Sequence, residues 1–238
     1  MFGFGKKKDA GQPLKSKEAA EEHLKGVILH AKEEINMAGL GDQKARVALA
    51  VDISASMTNL FRAGVVDQVC ERALALGVNF DDNEAVDVFA FGVKTHDIGE
   101  LTRSDFYGFV DEKIRRRHDF EYGTHYAPII RQVTKKYTSE KGDPAYVMFV
   151  TDGDNQDKPA ATKEIIEAAK HGIFWQFIGI GSGFSYLEKL DTMSGRVVDN
   201  ANFFALNDIA SIDDNELFRR MLGEFPDWLK KAKTQGII

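Results

Sequence analysis

Asp52, Ser54 and Ser56 stand at alternate positions directly after the apolar run Val47-Ala48-Leu49-Ala50-Val51. Side chains two residues apart leave an extended chain on the same side. Where a strand opens into a loop, this spacing therefore aims one carboxylate and two hydroxyls at a common point. Oxygen donors of this kind suit a hard divalent cation: magnesium, calcium or manganese. Much later a second apolar run, Ala145-Tyr146-Val147-Met148-Phe149-Val150, ends in Thr151-Asp152-Gly153-Asp154. As two parallel strands, the runs bring both oxygen clusters to one edge of a sheet. The alternative reading, that Asp52 and the serines cap a following helix, is compatible with ligation because one serine oxygen can do either job.

Between the clusters lies Tyr122-Gly123-Thr124-His125. The order of the three segments resembles the metal-ion-dependent adhesion site (MIDAS) of the von Willebrand factor A (vWA) domain, written Asp-x-Ser-x-Ser, then a distant Thr, then a distant Asp. The resemblance implies that Asp52, Ser54, Ser56, Thr124 and Asp152 are metal ligands, with hydroxyls binding directly and aspartates directly or through water. It also implies one coordination position left for an Asp or Glu carboxylate of a protein partner. Within the family the chain looks most like the bacterial tellurite-resistance-associated (TerF-like) group, and more distantly like the copine A domain. The segments that carry this are Val51–Met57, Phe89-Ala90-Phe91-Gly92, Tyr122-Gly123-Thr124 and Phe149–Asn155. Copine lipid-binding domains have no counterpart in these residues, so lipid binding does not carry over.

The elements that must position such a site alternate between strand and helix patterns. Residues 1–15 read as a flexible basic tail. Residues 16–238 read as a single domain with an N-terminal helix over 17–38 and C-terminal helices over 213–234. Leu24, Val27, Ile28, Ala31 and Ile35 recur at helical spacing in the first helix. Strands are expected over 45–52, 85–91, 94–101 (an edge strand), 145–151, 173–180 and 202–205. Helices are expected over 59–76, 104–114, 128–137 and 160–170, and Pro226 is expected to kink or divide the terminal helix. Strands alternating with helices point to an α/β fold, a doubly wound, mostly parallel sheet covered on both faces. Ligands of such sheets bind beyond the carboxyl ends of the strands, where Asp52 and Asp152 fall.

Composition narrows the function classes. Over 238 residues, 43% are hydrophobic and 29% charged, as in an ordinary globular protein. The net charge of −6 gives no reason to expect nucleic acid as a partner, and Arg115-Arg116-Arg117 reads as a solvated helix end that complements the dipole. Cys70, the single cysteine, falls in an apolar helical stretch and reads as core. No segment approaches the roughly 20 apolar residues that span a bilayer. Phe2 and Phe4 beside Lys6-Lys7-Lys8 fit a solvated tail better than a peripheral membrane contact. A cytoplasmic location is the expectation. Gly179-x-Gly181-x-Gly183 lacks the Lys-Ser/Thr of a phosphate loop.

These residues support a metal-dependent protein–protein interaction module rather than an enzyme. Magnesium is the first choice of ion, manganese a substitute and calcium a poorer fit. Met57, His125, Asp154 and Asn155 are expected along the rim of the site. The alternative is a phosphatase-like hydrolase that uses the same cation to polarise a phosphoryl oxygen. It meets Asp52-Ile53-Ser54 where aspartyl-phosphate chemistry expects Asp-x-Asp. A scaffold with a degenerate site is the third reading.

Overall fold

A computed structural model describes residues 16–139 and 142–238; the expected basic tail lies outside the described residues. Eight α-helices and six strands form within them. Helix α1 (Lys17–Met37) opens on Ser16, whose side chain accepts from the Ala19 N–H and caps the first turn. Strands β1 (Arg46–Asp52), β2 (Val86–Phe91), β3 (Thr95–Leu101), β4 (Ala145–Thr151), β5 (Ile173–Ile180) and β6 (Ala201–Leu206) make one sheet in the order β3-β2-β1-β4-β5-β6. All neighbours are parallel except the edge pair β2–β3, which is antiparallel.

Side-chain alternation along the strands divides the core in two. Val47, Leu49 and Val51 of β1, with Tyr146, Met148 and Val150 of β4, face α3 (Val65–Phe80), α7 (Asp214–Leu222) and α8 (Phe225–Thr234). Ala48 and Ala50, with Val147 and Phe149, face α4 (Ala127–Ser139), α5 (Lys158–Ala168) and α6 (Ser185–Thr192). Because both faces are covered, the central strands read as unbroken apolar runs. Helix α1 packs on α3 and α7. Its Glu34 is buried and meets Arg219 of α7 at 3.1 Å, while Arg72 of α3 meets Asp214 of α7 at 2.7 Å.

Three elements depart from the sequence-based expectation. The helix expected over 59–76 is two: α2 (Thr58–Arg62) and α3, separated by Gly64 at φ 73°, a left-handed conformation that interrupts the helix. The helix expected over 104–114 is a single π turn, Val110–Arg115. The Asp105 carboxylate takes up the N–H and hydroxyl of Thr102, which makes a turn there, and Gly108 at φ 82° delays the helix further. Helix α6 was not anticipated. The terminal helix is divided, as expected, with Pro226 in the first turn of α8, where its missing N–H is harmless.

Gly77, inside α3, packs closely against the start of β2. A Cβ there would lie 2.7 Å from Val86 Cγ2 and 2.9 Å from the Ala85 carbonyl oxygen. Gly77→Ala gains roughly 1 kcal/mol of helix propensity, but overpacking of a core contact costs about 1–3 kcal/mol. The variant is expected to be less stable by up to about 2 kcal/mol in chemical denaturation; a stabilised variant would contradict the close packing.

Candidate metal centre

In the order β3-β2-β1-β4-β5-β6 the chain winds outward in opposite senses from β1 and β4, which leaves a crevice at their carboxyl ends. Their register pairs Val51 with Val150, so Asp52 and Thr151 lie side by side and Asp152 stands one residue further out. Asp52 is fully buried. Its Oδ1 accepts from the Ser54 N–H at 2.6 Å, and its Oδ2 accepts from the Thr151 hydroxyl at 2.7 Å. The Ser54 and Ser56 hydroxyl oxygens are 3.0 Å apart, and Ser56 donates to Asp152 Oδ1 at 2.8 Å. Asp52, Ser54, Ser56 and Asp152 thus form one continuous polar chain from the buried strand end to the surface.

The fifth expected ligand arrives on another segment. Residues 118–126 cross the carboxyl ends of the central strands and are tied down at each. The Glu121 N–H donates to the Ile53 carbonyl at 2.9 Å and its carbonyl accepts from Ala55 at 2.8 Å. The His125 N–H donates to Gly92, just past β2, at 2.8 Å. The Thr124 carbonyl accepts from Gln156, in the loop after β4, at 2.9 Å. The Thr124 backbone is therefore held between the β2 and β4 loops, and its hydroxyl joins none of the serine–aspartate bonds.

The rim is narrower than the sequence suggested. Met57 belongs to the main apolar core and is fully buried, a correction to its expected place at the rim, because the short helical turn Ala55–Met57 points it inward. Asn155 is also buried and donates to Asp157 at 2.6 Å. Asp154 is only half-buried, but it is engaged by Lys158 at 2.7 Å, Ser185 at 3.1 Å and the Tyr186 N–H at 3.2 Å. His125 is half-buried.

Three supporting residues escaped the sequence reading. Thr151 holds Asp52; Tyr126 donates to the Gly153 carbonyl at 2.5 Å; and both oxygens of Asp157 accept backbone N–H groups, from Tyr126 at 2.9 Å and Ala127 at 2.8 Å. Asp157 thereby caps α4, at the end of the loop that carries Thr124. Only the pairing of β1 with β4 puts Thr151 beside Asp52, so no local pattern could have pointed to it.

Two carboxylates close together and partly removed from water resist ionisation. Burial pushes Asp52 up to about 6, against the bonds from Thr151 and Ser54 that favour its charged form; the nearby Asp152 charge raises it further. Burial also raises Asp152. Neither forms an ion pair among the described residues. A buried carboxylate that lacks a cationic side chain yet is surrounded by hydroxyls fits a divalent ion. The residues present therefore satisfy the donor chemistry expected of the group.

Asp52 also gives the protein without metal a signed pH dependence. Its folded value lies above its unfolded one, so its favourable contribution is complete below about pH 4 and is lost as pH rises through about 6. Near pH 7 this amounts to about 3 kcal/mol of destabilisation. In Asp52→Asn the amide can donate to the Thr151 hydroxyl, whose own proton then turns to the Gly153 carbonyl, 3.1 Å away. In excess chelator, denaturation is expected to find Asp52→Asn more stable than wild type by up to about 3 kcal/mol at pH 7, the difference vanishing near pH 4. A gap independent of pH would contradict the raised carboxyl.

Comparison with known proteins agrees with this geometry. Residues 44–238 match the family model vWA-TerF-like, described as the vWA found in the TerF C terminus; α1 lies ahead of the matched residues. The uncharacterized protein YcbR of Bacillus subtilis (strain 168) is 41% identical over 201 residues, which cover 82% of this chain and 81% of that protein. Among solved structures, the SpRpn10 VWA domain has a TM-score of 0.54 at 14% identity and covers 68% of this chain and 88% of its own. Proximal thread matrix protein 1 from the mussel byssus, solved with a zinc-occupied MIDAS motif, has a TM-score of 0.55 at 18% identity, covering 76% of this chain and 47% of that one. A von Willebrand factor type A protein from Catenulispora acidiphila has a TM-score of 0.57 at 16% identity, covering 76% and 42%. The chain therefore spans less than half the length of the mussel and Catenulispora proteins, and at these identities the likeness is one of fold. The sheet order, the site at its switch point and the family match lead to one conclusion: this chain belongs to the vWA family, in the group found at the TerF C terminus.

Proposed function

We propose that the protein is a metal-gated protein interaction module. Asp52, Ser54, Ser56, Thr124 and Asp152 would hold a divalent cation, and a partner would offer an Asp or Glu carboxylate to it. The observation that carries this reading is the buried Asp52 carboxylate, without a cationic side chain to neutralise it and linked through Ser54 and Ser56 to Asp152. Three of the five oxygen donors in such a site are neutral hydroxyls. A bound ion therefore keeps much of its positive charge and favours an incoming carboxylate.

Magnesium is the ion we favour. Adjacent oxygens of an octahedron at 2.0–2.1 Å lie about 2.9 Å apart. The Ser54–Ser56 and Ser56–Asp152 oxygen separations are 3.0 and 2.8 Å. Coordination can thus replace these hydrogen bonds with little movement of the oxygens, whereas the longer bonds of calcium would require the site to spread. Manganese, nearer magnesium in its preference for oxygen ligands, should substitute.

A non-enzymatic role is favoured because the other carboxylates on the β4 loop are already committed. Asp154 holds Lys158, Ser185 and the start of α6, and Asp157 caps α4. We place the module in a bacterial tellurite-resistance or related stress-response system, in the cytoplasm, on the strength of the family match alone. No helix among the described residues is long and apolar enough to cross a membrane.

The test is calorimetric titration of the full chain with magnesium and manganese, followed by capture of partners in either ion or in chelator. Asp52→Ala is expected to abolish ion binding and every ion-dependent capture while keeping the far-UV spectrum of the wild type. Thr124→Ala, at a half-buried loop position, is expected to weaken capture at least tenfold with less than about 1 kcal/mol lost in stability. Wild-type capture that persists in chelator would sink the metal-gated reading.

A further inference from the structure

Beside Thr124, a rigid segment of backbone carries an aromatic ring almost wholly in water. Tyr122 is 94% exposed. On one side of it, Glu121 is bonded through both backbone groups to the strand end at Ile53 and Ala55. On the other, Gly123 is wedged so tightly that a Cβ would lie 2.8 Å from Gln156 Oε1 and 2.9 Å from Val93 Cγ2. The next two residues are tied to Gln156 and Gly92. Val93, which packs against this loop, is itself 42% exposed. The contact area of an aromatic ring is large, and an anchored backbone removes much of the ordering cost of using it.

Beside the ring, several acids are tied to the protein and one cation is open, although the chain as a whole carries −6. The Glu121 carboxylate is occupied by the Lys94 N–H at 2.7 Å and by His96 at 2.8 Å. Asp154 and Asp157 are consumed as described above. The ammonium group of Lys94, next to Val93 in sequence, forms no ion pair among the described residues. The Glu121, Asp154 and Asp157 carboxylates are thus each held by donors of the protein itself, while the Lys94 ammonium is left open to pair with an acidic group of a partner segment.

We infer that Tyr122, Val93 and Lys94 form the specificity-determining part of the docking surface, and that its occupant is an extended partner segment carrying an apolar side chain close to the metal-seeking carboxylate. The inference rests on the metal-gated reading above. Tyr122 and Thr124 have Cα atoms at most about 7 Å apart, and an extended segment advances about 3.3 Å per residue. The apolar side chain therefore falls about two residues from the carboxylate.

The probes are synthetic peptides with a single Asp and a Phe two residues before or after it, compared with the same peptides carrying Ser there. Each is titrated into the full chain, in manganese and in chelator, with ion binding followed separately. Wild type is expected to bind one Phe peptide about tenfold more tightly than its Ser counterpart, the worth of a single aromatic contact. Tyr122→Ser should bind both alike, with the wild-type affinity for the Ser peptide, for the ion, and an unchanged melting temperature. A Phe preference that survives in Tyr122→Ser, no Phe preference in wild type, or no peptide binding despite normal ion binding would each overturn the docking surface alone. Peptide binding undiminished in chelator would overturn the metal-gated reading, and this inference with it.

Discussion

The parallel pairing of β1 with β4 is the constraint on which the rest of the structure depends. It aligns Val51 with Val150 and sets Asp52 against Thr151 at the end of two fully buried strands. A slip of one residue would reverse the facing of every side chain in the strand, exchanging Val47, Leu49 and Val51 with Ala48 and Ala50 between unequal cores. The bulky face must meet α3, and the small alanines leave room for the aromatic cluster of Phe91, Tyr126 and Phe149. Packing on two faces thus determines the register, and the register determines which oxygens converge.

That convergence runs against the stability of the domain. Burying Asp52 without a cationic partner raises its carboxyl, so at neutral pH the fold carries an unfavourable charge that the two apolar cores must outweigh. Any species that neutralises the charge only in the folded state stabilises the fold by linkage. Function and strain share a location here for a physical reason: the desolvation that makes the carboxylate costly also strengthens its attraction for a cation.

Around this centre the structure uses its remaining acids to hold loops. Glu121 braces the β2–β3 turn, Asp154 fastens α6, and Asp157 caps α4. The segment over residues 118–126 is thereby fixed at several points although it forms little regular structure. Far from the site, α1 adds a layer outside the matched family residues, bound through an apolar stripe and the Glu34–Arg219 contact.

Much of this was legible in the sequence because it is encoded locally. The apolar runs that make β1, β4 and β5, the stripe of α1, the break at Pro226, and the Asp52-x-Ser54-x-Ser56 spacing each depend on neighbours within a few residues. Local patterns could not reveal Thr151 as the partner of Asp52, because hydrogen bonds across a parallel pair depend on register between segments 99 residues apart. Nor could they show that Met57 turns inward, that Asp154 is spent on Lys158 and Tyr186, or that Gly64 and Gly108 stop helices whose apolar spacing otherwise continues. Sequence by itself determined which residues have the chemistry to bind a cation and which elements present them. Only the tertiary structure decided which oxygens meet and which acids remain available, because burial and hydrogen-bond competition arise when distant segments exclude water together.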